Sequence, residues 1–276
     1  MISFSHLGEY GRLGNQLFQY AILKSVQNKT GFEIVLPKDI NVRNWHGQQC
    51  LMGNFKLPSC TYGNLDIKNY FHEKQLRIFD TDVFDVKDNT DFMGFFQHPN
   101  YYTPIRDLLI EEFEMINSIQ DKVDEYLHNL GTTVSLHVRR GDVSDGTNPT
   151  DTQWSNDFSE GSVLYNYYTN ALKEIPTDST ILLFTGGSRK NVLESDIDWC
   201  KRHFEDERIV FVERFNDIET FSLMKSCDYN ITSFASTFSW WASFLNKKNN
   251  VIAPKNFYPS MVLDTSNVYP ENWKLL

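Results

Sequence analysis

The sequence predicts an α/β protein in two halves, on three observations. Short apolar runs alternate with segments of helical period along most of the 276 residues, the pattern of layered α/β structure. The chain opens as strand, glycine loop, helix and strand, a βαβ unit. A second series of apolar runs starts near Gly131, and each run ends in a polar, glycine- or hydroxyl-rich segment. The boundary falls near residue 130. Residues 1–130 make the first half and 131–254 the second, with the tail 255–276 packing back on the first.

Taken in order, residues 1–7 read as the first strand, and Gly8, Gly11 and Gly14 as a loop. A helix follows from Asn15, with Phe18, Ala21, Ile22 and Val26 on one face. EIVL (33–36) is the second strand, stopped by Pro37. Residues 40–100 read as irregular, and long irregular stretches in a compact domain tend to carry function. One helix is expected through residues 105–130, with Leu109, Phe113 and Ile116 in its apolar period. In the second half the strands are TVSLHV (133–138), ILLFT (181–185), RIVFV (208–212), 228–232 and VIA (251–253). Helices are expected at 216–227 and 238–246.

Composition narrows the function. With 26 Lys+Arg against 36 Asp+Glu the net charge is −10, which disfavours non-specific nucleic-acid binding. An anionic ligand therefore needs a local cluster of cations. Cys50, Cys60, Cys200 and Cys227 show no CxxC spacing, so neither a zinc site nor a thioredoxin-like motif is expected. No signal-peptide pattern opens the chain and no run approaches the roughly 20 apolar residues of a membrane span. The expectation is a cytoplasmic protein with reduced thiols.

Three constellations can carry chemistry. The first is His137-Val138-Arg139-Arg140-Gly141-Asp142 at the carboxyl end of a strand, where open α/β sheets place ligands. An arginine fork binds phosphate bidentately and keeps its charge. Alternation at the strand end lets one arginine face the ligand while the other braces it. The second is Ser233-Phe234-Ala235-Ser236-Thr237-Phe238-Ser239-Trp240-Trp241, where hydroxyls gather at a helix start. Ser236 or Thr237 suits the N-cap, and the terminus attracts anions. Trp241 is expected in the core. The third is the glycine loop 8–16, with Asn15 and Gln16 offering amides. It is not a GxGxxG dinucleotide fingerprint. Asp80-Thr81-Asp82 and Asp196-Ile197-Asp198 match DxD, a pattern that chance supplies in so acidic a chain. Gly186–Lys190 lacks the P-loop ending. There is no HExxH, no GxSxG and no metal-ligand spacing of histidines. Arginines on one side and a helix start on the other look like a metal-free diphosphate pocket.

The chain resembles the α-1,2-fucosyltransferases of glycosyltransferase family 11, bacterial type. GRLGNQLFQYA (11–21), GFFQHPNYY (94–102), HVRRGD (137–142), SDIDWCK (195–201) and STFSWWASFLN (236–246) are similar to that family's motifs and occur in its order. The HxRRxD form is shared with α-1,6- and protein O-fucosyltransferases. The resemblance implies a GT-B fold, two Rossmann-like domains facing a cleft. It implies GDP-β-L-fucose as donor, inversion, no metal, and attack by the 2-hydroxyl of a terminal galactose. Arg139 and Arg140 would hold the diphosphate and His137 would line the guanosine pocket. Ser236, Thr237 and Phe238 would close the donor site, and Arg12, Asn15 and Gln16 would reach the reaction centre. Where the family usually has an Asp, this chain has Thr220, and the neighbouring Glu219 is the candidate substitute. An Asn usual before the Ser of the last motif is Ala235 here, and the loop 186–194 looks long.

Asp142 is the expected base, with Asp145 and His137 next. The partners expected are GDP-fucose and a galactose-terminated glycan. A lipid-linked surface polysaccharide would bring the enzyme to the inner membrane face. The alternatives are another fucosyl linkage (α-1,6 or onto protein) and a non-catalytic protein that binds sugar nucleotide or carbohydrate.

Overall fold

The computed structural model describes residues 1–45, 48–186, 194–259 and 266–276. Residues 187–193, which hold most of the stretch read above as a long loop without a P-loop ending, lie outside these. The chain forms two compact units. The first is Met1–Asn117 with Asn267–Pro270, and the second is Ser118–Ser266 with Glu271–Leu276.

In the first unit, β1 (Ile2–Ser3) leads through the glycine loop into α1 (Leu13–Thr30) and β2 (Ile34–Pro37). A hairpin follows, β3 (Asn44–Trp45) against β4 (Gln48–Gln49). Then come β5 (Cys60–Gly63), β6 (Asn69–His72), β7 (Thr90–Met93) and α2 (Arg106–Glu112). The strand order is β5-β2-β1-β7-β6, all parallel. Three strands of this sheet thus lie in the stretch that the sequence reading left irregular. β5 and β6 are edge strands whose exposure includes Tyr62 and Tyr70, so no apolar alternation marks them. α1 is buried round nearly its whole circumference as far as Val26, not along one stripe. It ends on Gly31 at φ 77°, whose N–H donates to the Gln27 carbonyl, a left-handed cap that glycine adopts without strain.

The single helix expected at 105–130 is two. After α2 the chain turns at Phe113, and Met115 bridges antiparallel to Phe55. It restarts as α3 (Asn117–Leu127). All of α3 after Asn117 clusters with the second unit, so the division falls at Asn117 and not near 130. Side chains explain this. Gln120 bonds Ser222 and Ser226, Lys122 pairs with Glu219, and Tyr126 packs edge-on against Phe215 under Arg214.

The second unit continues with β8 (Thr133–Arg139), α4 (Pro149–Asn156), α5 (Val163–Lys173), β9 (Thr180–Gly186) and α6 (Asp196–His203). β10 (Ile209–Phe211), α7 (Asp217–Ser226), β11 (Tyr229–Ile231), α8 (Thr237–Phe244), β12 (Val251–Ala253) and β13 (Lys274–Leu275) complete it. The order is β10-β9-β8-β11-β12-β13, again all parallel. β8 lies mid-sheet and is buried from Thr133 to Val138, as a parallel strand covered on both faces must be. Its Val134, Leu136 and Val138 pack with Leu164, Tyr168, Trp199 and Phe234. The tail is shared. Lys274 and Leu275 extend the second sheet beside β12, whereas Asn267–Pro270 joins the first unit.

All four cysteines are free thiols. No described helix is long and apolar enough to cross a membrane.

Candidate active site

The carboxyl ends of β8 and β11 are adjacent, because these strands pair directly. Ser233, just past β11, ties them: its Oγ accepts from the Arg139 N–H at 2.7 Å and meets the Tyr168 hydroxyl at 2.9 Å. Tyr168 also donates to the His137 carbonyl at 3.0 Å. The Ser233 N–H donates to Ser239 Oγ at 3.2 Å, and the Ser239 N–H donates to Ser236 Oγ at 3.2 Å. Ser236 is therefore the N-cap of α8. Thr237 and Phe238, half-buried, form its first turn, where the helix dipole favours an anion. The hydroxyl cluster hence has a structural purpose, locking the start of α8 to the end of β8. Ala235 is held at φ 50° in this turn, a left-handed position that suits Asn better than Ala.

The two arginines part company. Arg140 turns inward: Nε meets Asp196 Oδ1 at 3.2 Å, Nη1 donates to the Ser155 carbonyl at 2.8 Å, and Nη2 donates to Asn156 Oδ1 at 2.7 Å. Its guanidinium lies 3.9 Å from the Trp199 ring centre. The side chains of Arg140 and Asp196 are only 5% and 11% exposed. Arg139 turns the other way and pairs with Asp142 at 2.5 Å, with exposures of 16% and 47%. Of the pair, Arg139 is the more accessible to solvent. Arg140 fixes the turn through Gly141, whose N–H also points at Asp196. Asp145 is buried and accepts from the Thr147 N–H.

His137 is buried, its ring centre 6.1 Å from that of Phe238, which in turn packs 5.4 Å from Phe221. Burial, assisted by the Arg139 charge, pushes its pKa down to about 3. The imidazole is therefore neutral near pH 7, and its Nδ1 has no hydrogen-bond partner among the described residues. A neutral ring with a spare polar nitrogen suits base recognition and makes a poor proton acceptor.

Glu219 is occupied elsewhere. One carboxylate oxygen accepts from the Asn216 N–H at 3.0 Å and the other pairs with Lys122 at 2.5 Å. Asn216 Oδ1 answers by accepting from the Ile218 and Glu219 N–H groups. This is a capping box on α7. Its sequence signal is the N-x-x-E spacing of Asn216 and Glu219.

In the first unit, the glycine loop is clasped by α1. Gln19 accepts from the Gly8 N–H and donates to the Tyr10 carbonyl, both at 3.2 Å. Gln16 donates to the Gln49 carbonyl and accepts from the Leu51 N–H, both at 2.8 Å, so its amide holds a neighbouring loop. Asn15 Oδ1 accepts from Gln97 at 3.0 Å, joining GRLGNQ to the GFFQ segment. Gln97 thus ties the GFFQ segment to the start of α1 within the first unit. Arg12 is half-buried at the N-cap of α1. Gly11 lies at φ 97°, and a Cβ there would stand 2.1 Å from Asn15 Nδ2, so only glycine fits.

The DxD triplets resolve into other roles. Lys74 pairs with Asp80 and Asp82, Asp196 holds Arg140, and Asp198 closes on the Ser195 cap of α6. Among the described residues no cluster of three His, Cys, Asp or Glu could hold a metal ion.

Solved structures share this architecture. The fucosyltransferase NodZ from Bradyrhizobium matches with a TM-score of 0.55 and 13% identity, covering 88% of this chain and 92% of that one. POFUT1 in complex with GDP matches with a TM-score of 0.54 and 11% identity, covering 91% and 96%. Two parallel α/β units of this kind place the chain in the GT-B fold. The sequence then places it more closely: the model of Glycosyl transferase family 11 matches residues 9–276, and the chain belongs to that family. An α-1,2-colitosyltransferase of Escherichia coli is 25% identical over 95% of each chain. The galactoside α-(1,2)-fucosyltransferase 2 of Gorilla gorilla gorilla is 22% identical, covering 85% of this chain and 67% of that protein.

Proposed function

We propose that this glycosyltransferase is an inverting, metal-independent α-1,2-fucosyltransferase that moves L-fucose from GDP-β-L-fucose to the 2-hydroxyl of a terminal galactose. The observation that carries the reading is the divided arginine pair. Arg140 is locked in a buried cage, so that Arg139, steered by Asp142, meets the diphosphate beside the start of α8. The donor lies on the second unit. Its guanine packs near His137 and Phe238, and its phosphates meet Arg139 and the turn Ser236-Thr237-Phe238. As the bond from the anomeric carbon to phosphate breaks, charge grows on the β-phosphate. Arg139 and the helix terminus are already oriented to receive it, the form of stabilisation that contributes most in such sites. Asp142 acts on Arg139 as an orienting partner. Arginine and a helix dipole do the work that a cation would otherwise do, which supports a metal-free reaction. A lipid-linked glycan is a fitting acceptor.

The two relatives named above differ in the sugar transferred and agree on the α-1,2 linkage in their names. That agreement favours the linkage, and the colitosyl relative makes colitose the second sugar to try. The test is a transfer assay with GDP-fucose and GDP-colitose against lactose, N-acetyllactosamine, lacto-N-biose and Galβ1,3GalNAc, each with and without EDTA, with the product linkage read by NMR. EDTA-insensitive α-1,2 transfer of fucose supports the proposal. Transfer of colitose alone moves the donor, an α-1,6 product moves the linkage, and GDP binding without turnover makes the chain a sugar-nucleotide binder.

A further inference from the structure

Side chains distant in sequence hold the end of β8 that carries the two arginines. The chain leaves β8 at Arg140 and turns at Gly141, whose φ of 71° suits glycine. A short turn over Gly141–Val143 brings Asp142 back to Arg139. Residues 140–148 belong to no strand or α-helix, so other elements of the second unit must fix them.

The carboxyl end of α4 supplies one set of bonds. Ser155 Oγ donates to the Val143 carbonyl at 2.7 Å, and Asn156 Nδ2 donates to the Ser144 carbonyl at 3.2 Å. The same two residues hold Arg140, through the Ser155 carbonyl and Asn156 Oδ1. The start of α6 supplies the other. Asp196 Oδ1 accepts from Arg140 Nε at 3.2 Å and from the Gly141 N–H at 3.4 Å, and Trp199, one turn on, faces the guanidinium. Each Arg140 nitrogen therefore ends on one of these two helices. Stability alone does not demand a charge here, because apolar side chains of similar volume often replace a buried ion pair without loss. What apolar side chains lack is direction. A carboxylate oxygen shared by a guanidinium and a backbone N–H fixes the angle of the turn, and with it the place of Arg139 beside the start of α8.

We propose that Asp196 is a positioning residue of the donor site, with Asn156 as its counterpart on α4. Through Arg140 and the turn 141–144 they hold Arg139 where the two phosphates of a nucleoside diphosphate need it. Neither residue touches the ligand. Their loss weakens the grip on phosphate and leaves the nucleoside end, around His137 and Phe238, as it is. This rests on the reading that the diphosphate of the donor meets Arg139.

The test measures the affinity of the full chain for GDP and for guanosine by calorimetry, beside thermal melts and transfer kinetics. The variants are Asp196→Asn, Asn156→Ala and the double substitution Arg140→Met with Asp196→Leu. The double variant should melt no lower than wild type. It should bind GDP about ten-fold more weakly, hold guanosine to within about two-fold, and raise the donor KM more than it lowers kcat. Asp196→Asn keeps an oxygen for the Gly141 N–H and should lose less, about three-fold for GDP. A double variant that folds and binds GDP as wild type does overturns the assignment, and so does one that loses guanosine in step with GDP. If the double variant does not fold, Asn156→Ala decides, at an exposed position: a selective loss for GDP supports the assignment, and an equal loss or none overturns it. A wild type that binds no GDP overturns the functional reading and this assignment with it.

Discussion

At the scale of single residues, Arg139 and Arg140 show how adjacent identical side chains acquire different work. Alternation along β8 sends one into a buried cage and leaves the other at the surface, so the same substitution should fail in two ways. Arg139→Ala removes only a half-exposed ion pair, worth about 1 kcal/mol or less, yet should lower transfer by about 100- to 1,000-fold. Arg140→Ala strands Asp196, and breaking such a buried pair costs about 3–5 kcal/mol. Urea melts beside initial rates separate the two, and equal losses of stability would undo the distinction. His137 gives a pH dependence. Its folded-state pKa is held down to about 3, against 6.5 ordinarily. The unfolded chain therefore takes up a proton below about pH 6.5 that the folded chain refuses. The full stability is present above that pH and falls as pH drops toward 3. Between pH 7.5 and 5.0 this group should remove about 2 kcal/mol. His137→Gln should flatten that limb in urea titrations at the two pH values, and an unchanged slope would mean that the ring titrates normally.

At the scale of elements, legibility followed burial. β8, β9 and β12 were plain in the sequence because both faces of a central parallel strand are apolar. β5, β6 and β7 were not. Their residues CTYG, NYFH and TDFM obey pairing with neighbours that no local pattern reveals. The break between α2 and α3 was hidden because Leu109, Phe113 and Ile116 keep a helical period straight across it, although Phe113 is buried and Ile116 is 37% exposed. Among site residues, the HVRRGD strand end and the start of α8 were legible from their motifs, whereas the cage of Arg140 needed Asp196, 56 positions away. Glu219 carries a local signal of another kind, the N-x-x-E capping box that the structure forms with Asn216. Glu219→Ala should therefore cost about 1 kcal/mol, the usual loss for a helix cap, and leave the donor KM within two-fold. A ten-fold rise in that KM would return Glu219 to the nucleotide.

For the molecule as a whole, the last six residues carry weight out of proportion to their number. β13 covers the side of β12, and Trp273 is buried 5.6 Å from the Trp240 ring. Deleting residues 271–276 should expose an apolar parallel edge, which invites aggregation, and lose at least about 3 kcal/mol with the tryptophan alone. Light scattering and a thermal melt would show this, and an unaltered melt would mean that the edge stands unaided. The same tail has a meaning for ancestry and engineering. The chain leaves the first unit after Asn117, returns to it for Asn267–Pro270 and leaves again. A single crossover after Asn117 between two genes of this kind therefore delivers a second unit with its outermost strand but a first unit whose segment Asn267–Pro270 comes from the other parent. Exchange of one unit for a homologue's requires three splices made together, after Asn117, Ser266 and Pro270, and the carboxyl-terminal segment must travel with the sheet it completes.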